Sequence, residues 1–243
     1  MSDPIYFAVP IFLLLIVAEA MLGRHGRYPY EMRDAAASMA MFAGNAALVT
    51  WLTAFDYAVF AAFYERRLFE IAFTPAGWLA CIVAIDFTFY WYHRAGHEVR
   101  FFWAAHVNHH SSQQFNLTTA LRQSWTAPFT RLLFYWPLPL LGFHPVMLMT
   151  GMSLCTIYGF WTHTRWIDRL GIFEEVLVTP SHHRVHHGAN PEYLDRNYAN
   201  MFIVWDRVFG TFERERSPVH FGLTKNIHTY NPLRIAFHEW VDI

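Results

Sequence analysis

The run D-F-T-F-Y-W-Y-H-R-A-G-H, Asp86 to His97, reads as an apolar helix that ends in two histidines four residues apart. Positions 86, 90, 93 and 97 follow the i, i+4, i+7, i+11 spacing of one helical stripe, so a carboxylate and two imidazoles share a face. Upstream, Ala76 to Tyr92 is seventeen residues with a single charge, Asp86. A carboxylate inside such a helix is costly and is a functional candidate by default. Asp86 is expected to accept an N–H from a ligand imidazole and fix its tautomer; the alternative is a salt bridge with Arg94. Glu98, next to His97, is a candidate metal ligand, ligand-orienting group or proton relay, or else a solvated helix end.

The flanking sequence repeats the apolar theme. Ile5 to Leu22 carries one charge, Glu19, and Ala35 to Tyr64 is broken only by Asn45 and Asp56 among strongly polar groups. About 20 apolar residues cross a hydrocarbon core of roughly 30 Å, and both runs meet that requirement. Phe129–Leu141 and Val146–Trp161 flank the turn Gly142-Phe143-His144-Pro145 and read as a helical hairpin over 129–161, short enough to dip into a membrane without crossing it. Ile5–Leu22 lacks a basic start and a small-x-small cleavage pattern, so a retained helix is expected. The expected fold is all-α: an integral membrane bundle of about three to five membrane helices under a histidine-rich helical cap. One domain, 1–243, is anticipated, with membrane helices over 1–92 and a catalytic part over 93–243. Arg24, Arg27 and Arg33 follow the first helix, and Arg94, Arg100, Arg122 and Arg131 follow the third. Basic residues mark the cytoplasmic side, so the histidine-rich part is expected there, although Arg66 and Arg67 fall on the other side.

Composition agrees. The 243 residues are 54% hydrophobic and only 15% charged, against about 25% charged in an ordinary soluble domain. Disorder is excluded. A net charge of −1 gives no field to attract nucleic acid. Two cysteines, Cys81 and Cys155, cannot build a disulfide framework or a thiolate zinc cage.

Histidine is the over-represented polar residue, fifteen against eighteen Lys plus Arg. Most lie in three clusters: His93 and His97; His106, His109 and His110; and His182, His183, His186 and His187. Spacings of three and four bring side chains to one helix face, and neutral imidazole suits Fe, Zn, Cu or Ni. Eight histidines, without His182, are too many for one ion, so two metals are expected. His182 and His183 remain alternatives as the first member of the third box. His163, ending the fifth apolar run, is a candidate ninth ligand. His25, His144, His220, His228 and His238 stand alone and read as structural. Haem is disfavoured because the clusters lie beyond the apolar runs, among Arg, Glu, Asn and Ser. Thr118, Thr119, Arg122 and Gln123 either line a substrate entry, with Arg122 on a phosphate head group, or simply pack. Tyr198, Met201, Phe202, Trp205, Phe209 and Phe212 form an aromatic, amphipathic tail, read as a cap beside the site.

These boxes, set around membrane spans, resemble the fatty acid hydroxylase and sterol desaturase superfamily over roughly 80–215. Asp86 to Arg94 is similar to the usual lead-in to its first box. HEVRFFWAAHVNHHSSQQFNLTTALRQS (His97–Ser124), TPSHHRVHHGANPEYLDRNYANMFIVWDRVFGTFE (Thr179–Glu213) and the F-G-L-T of Phe221 to Thr224 resemble its alkylglycerol monooxygenase branch. The resemblance implies a membrane-bound non-haem diiron enzyme using O2. His93, His97, His106, His109, His110, His183, His186 and His187 match the box histidines, and Glu98 matches the glutamate that follows the first box in that branch. It further implies a lipid substrate taken from the bilayer and an electron donor; animal members use tetrahydrobiopterin, for which no motif can be read here. A sterol, carotenoid or fatty-acyl hydroxylase or desaturase is the alternative within the superfamily, and a zinc-binding membrane protein without turnover is the alternative outside it.

Overall fold

A computed structural model describes residues 3–24 and 26–243; His25 lies outside the described residues. Among these residues the protein is all-helical, with no β-strand. The first three helices are α1 (Pro4–Gly23), α2 (Met32–Tyr64) and α3 (Pro75–Glu98). Two short helices, α4 (Arg100–Ala104) and α5 (Val107–His110), continue from the end of α3. Then come α6 (Ala127–Tyr135), α7 (Pro137–Leu141) and α8 (Pro145–Trp161). The last three are α9 (Pro180–His186), α10 (Val204–Phe209) and α11 (Pro232–Val241).

Local chemistry sets the long helices. Thr74 caps α3 by accepting from Gly77 N at 3.1 Å, with Pro75 at the first position, where its missing N–H costs nothing. His144 does the same for α8, accepting from Val146 N at 3.2 Å ahead of Pro145. The 129–161 hairpin is present, but its first arm breaks into α6 and α7 at Pro137, and its turn uses Gly142 at φ +111°, a backbone angle that favours glycine.

α1 and α2 are long and apolar enough to cross a membrane. At 1.5 Å per residue α2 is roughly 50 Å long. Their outward faces are unpartnered: Phe7, Leu14 and Trp51 are about 70% exposed. A large exposed apolar surface of this kind is stable in lipid rather than in water, and the protein is a membrane protein. α3 and α8 pack on each other within this frame, burying Cys81, Ile85, Met147, Leu148 and Cys155. Inside a lipid-embedded frame such contacts hold the helices together by close packing rather than by removal from water.

The polar groups inside the apolar frame are matched. Glu19 of α1 accepts from Tyr30 Oη, from Leu117 N at 2.8 Å and from Thr164 Oγ1 at 2.5 Å. Asp56 of α2 pairs with Arg131 of α6. Glu19 therefore ties α1 to three loop segments, and Asp56 ties α2 to α6.

Candidate metal centre

The histidines converge at the end of α3. Two groups form, each with its candidate ligand atoms within 4.8 Å of one another. The first holds His93, His97, His106, His110 and His186; the second holds His109, His163, His183 and His187. Every candidate ligand read from the three boxes is in one group or the other, and His163 joins from the end of α8. His183, rather than His182, enters the second group. His182 is buried elsewhere, its ring 5.5 Å from that of Phe212. His144, His220, His228 and His238 lie in neither group.

The two histidine doublets are split between the groups. His109 belongs to the second and His110 to the first, while His186 belongs to the first and His187 to the second. The rings of His110 and His187 stack at 4.3 Å and 20° across the divide.

Main-chain carbonyls fix several tautomers. The Nδ1–H groups of His93, His109, His163 and His186 donate to the carbonyls of Tyr198 (2.7 Å), Arg122 (3.3 Å), Gly159 (2.8 Å) and Arg196 (3.0 Å). Each such bond leaves Nε2 as a bare lone pair. Two of those lone pairs, on His109 and His163, face each other at 3.2 Å with no proton available between them. The Nε2 atoms of His163 and His183 are 2.9 Å apart, and His106 Nε2 lies 3.0 Å from those of both His93 and His110. Nitrogens held about 2.1 Å from one ion stand about 3.0 Å apart at a right angle and about 3.4 Å apart at the tetrahedral angle. The Nε2 atoms of His97, His186 and His187 are buried with no hydrogen-bond partner. This donor set fits metal ions and is poorly satisfied by hydrogen bonding alone.

Burial keeps the rings neutral, the form that binds metal. Desolvation drives His106, His110, His163, His183, His186 and His187 well below the usual histidine range, and lowers His109 to about 4. Neighbouring imidazoles push most of them further the same way.

One expectation is corrected, the alternative offered with it fails too, and for Arg122 the packing alternative holds. Asp86 touches no imidazole: its carboxylate accepts from Met201 N (2.8 Å), Phe202 N (2.9 Å) and Trp205 Nε1 (3.0 Å). It thereby holds the chain after the third box, because three donors there have no other acceptor of that strength. Arg94 pairs not with Asp86 but with Glu98, at 2.9 Å; Glu98 lies at the exposed edge of α3, outside both groups. Arg122 does not face lipid. It is buried against Asp34 (2.5 Å), Ser38 (3.1 Å) and Ser111 (3.2 Å), and Thr118 and Thr119 are buried beside it.

Some site residues are invisible to spacing arguments. Asp195 Oδ1 stands 3.7 Å from His97 Nδ1. The Tyr198 ring lies 5.2 Å from that of His97, over the first group. Phe115 and Phe221 stack at 4.8 Å, and Phe115 lies against the His163, His183 and His187 rings of the second group. Asp195 and Asn197, at φ 58° and 56°, carry the one sequence signal available: Asp and Asn tolerate the left-handed region better than most residues.

Comparison with known proteins shows the lineage. A family model for fatty acid hydroxylases matches residues 78–211, which contain all nine clustered histidines. The chain belongs to the fatty acid hydroxylase family. Alkylglycerol monooxygenase of Homo sapiens is 38% identical over 99% of this chain and 55% of its own length. The Danio rerio protein of that name is 46% identical over 66% of this chain and 36% of its own. An ornithine lipid hydroxylase of Rhizobium tropici is 29% identical over 68% of this chain and 52% of its own. The chain thus spans about half the length of the alkylglycerol monooxygenases it matches nearly end to end. No solved structure matches it.

Proposed function

We propose that this member of the fatty acid hydroxylase family is a membrane-bound non-haem diiron monooxygenase that hydroxylates the alkyl chain of an ether lipid of the alkylglycerol type. The observation that carries the reading is the pair of adjacent, largely buried imidazole groups at the end of an apolar helix bundle. His93, His97, His106, His110 and His186 would hold one iron, and His109, His163, His183 and His187 the other. Iron in such a site supplies reductive activation of O2. Four-electron reduction of O2 needs two electrons from the C–H bond and two from an external donor, for which a tetrahydropterin is the candidate by resemblance. One oxygen atom enters the substrate and the other leaves as water.

The chain's own groups do the rest. Carbonyls 122, 159, 196 and 198 orient rings and keep their Nε2 atoms free of protons. Phe115 and Phe221 offer an apolar wall beside the second group, suited to an alkyl chain. Glu98, held by Arg94 next to His97, is proposed as a proton relay at the edge of the site. Asp86 contributes by holding the main chain that bears the Tyr198 carbonyl. Hydroxylation of the carbon beside an ether oxygen gives a hemiacetal, which separates into an aldehyde and an alcohol without further help.

The proposed arrangement is one catalytic domain, with α1 to α3 crossing the membrane, the α6–α8 hairpin dipping into it and the site on the cytoplasmic face. The 38–46% identity to alkylglycerol monooxygenases favours ether lipids over acyl chains or sterols. The test uses the protein in lipid vesicles with ferrous iron, O2, a tetrahydropterin and a 1-O-alkylglycerol. The expected product is a fatty aldehyde, formed only with O2, together with two irons per chain. A hydroxylated acyl or sterol product would move the substrate class, and iron-free protein binding zinc without O2 uptake would refute the oxygenase reading.

A further inference from the structure

One short stretch of chain, Asp195 to Tyr198, orients two rings of the first histidine group and faces a third. The Asp195 carboxylate faces His97 Nδ1, the Arg196 carbonyl accepts from His186 Nδ1, and the Tyr198 carbonyl accepts from His93 Nδ1. Asp195 and Asn197 take left-handed backbone angles, φ 58° and 56°, on either side of Arg196.

This stretch has its own anchor. Asp206 is fully buried, and its carboxylate accepts from Tyr198 N at 2.7 Å, Ala199 N at 2.9 Å and Thr211 Oγ1 at 2.6 Å. The Ala199 N–H belongs to the same peptide unit as the Tyr198 carbonyl. A continuous path therefore runs from the Asp206 carboxylate, across one peptide group, to Nδ1–H of His93. An anion on the N–H side of a peptide polarises its carbonyl oxygen. A more electron-rich carbonyl, in turn, strengthens the pull on the imidazole N–H and the donor power of Nε2.

We propose that Asp206 is a positioning residue for the first metal, acting through the Tyr198–Ala199 peptide to fix the tautomer and raise the donor strength of His93. The inference rests on reading the histidine groups as a two-metal centre. It adds a second anchor to that of Asp86, which grips the next residues, Met201 and Phe202, from α3. Asp86 sets where the segment lies along the helix. Asp206 sets which way its carbonyl points.

The experiment titrates cobalt(II) into metal-free full-length protein in detergent, following d–d absorption. Wild type takes up two ions. In Asp206→Asn one site keeps its affinity while the other weakens about 10- to 100-fold, the usual range for loss of a group that orients a metal ligand. His93→Ala loses that same site, and the double variant shows little further loss. Equal weakening of both sites, unchanged affinity at both, or additive losses in the double variant would overturn the proposal. If Asp206→Asn does not insert, Thr211→Val, which removes one of the three contacts, carries the test: a smaller loss confined to one site supports the role, and no loss or an even loss rejects it. Failure of wild type to bind two ions would instead sink the two-metal reading beneath it.

Discussion

Replacing Arg122 with methionine separates two views of that residue. Its side chain is 1% exposed and its partner Asp34 8% exposed. The guanidinium donates to the Asp34 carboxylate and carbonyl, to Ser38 and to Ser111, so α2 is bolted to the chain that follows the second histidine box. Removing one partner of a buried pair leaves the other charge uncompensated and costs about 3–5 kcal/mol. For a chain of this length each kcal/mol moves the melting temperature by about 2–4 °C, so a fall of about 6–20 °C is expected. Asp34→Asn should also destabilise the protein, and the double variant Arg122→Met with Asp34→Asn should recover a large part of the loss, because the stranded charge is gone. Thermal unfolding in detergent, read by the monodisperse fraction, measures all three. A shift under 2 °C for Arg122→Met, with a raised KM for lipid, would show that the arginine binds a head group and that the strut assignment is wrong.

Acid should loosen the metal-free protein. His109 is lowered to about 4 by burial, while an unfolded histidine titrates near 6.5. The stability gained from its neutral folded form is complete above about pH 6.5 and is lost as pH falls towards 4, at up to about 1.4 kcal/mol per pH unit for each such group. A flat melting temperature between pH 7 and 5 would contradict this burial. His163→Ala should lower bound metal by one ion, whereas His182→Ala should leave both in place; equal metal content in the two variants would remove His163 from the ligand set. Asp86→Asn turns an acceptor of three N–H groups into one that also presents donors, at about 1.5–3 kcal/mol per weakened charged hydrogen bond, and should reduce metal occupancy. Asp56→Asn should cost stability, through its stranded partner Arg131, while metal content holds.

What could be read from the sequence is what local periodicity controls. Histidines three and four apart must share a helix face, and His163 had to sit where an apolar run of helical length ends. The charged groups that brace the frame around those rings are different in kind. Asp86 meets its donors 115 to 119 residues away, Arg122 meets Asp34 across 88, and Arg131 meets Asp56 across 75. No spacing rule reaches so far, and a charged residue near a helix end reads equally well as lipid-facing or as buried and paired. Two short loops added the rest. The Tyr198 and Arg122 carbonyls act through the main chain, so the identity of the side chain at those positions carries no trace of the role.

The split doublets have a mechanical consequence. His109 and His110 are covalent neighbours that serve opposite halves of the centre, as do His186 and His187. A single peptide link at each doublet thus acts as a gauge bar for the gap between the halves. No hinge within α5 or at the end of α9 can widen that gap without unwinding the helical turn that carries the doublet. Any breathing of the surrounding bundle must carry both halves along as one rigid piece.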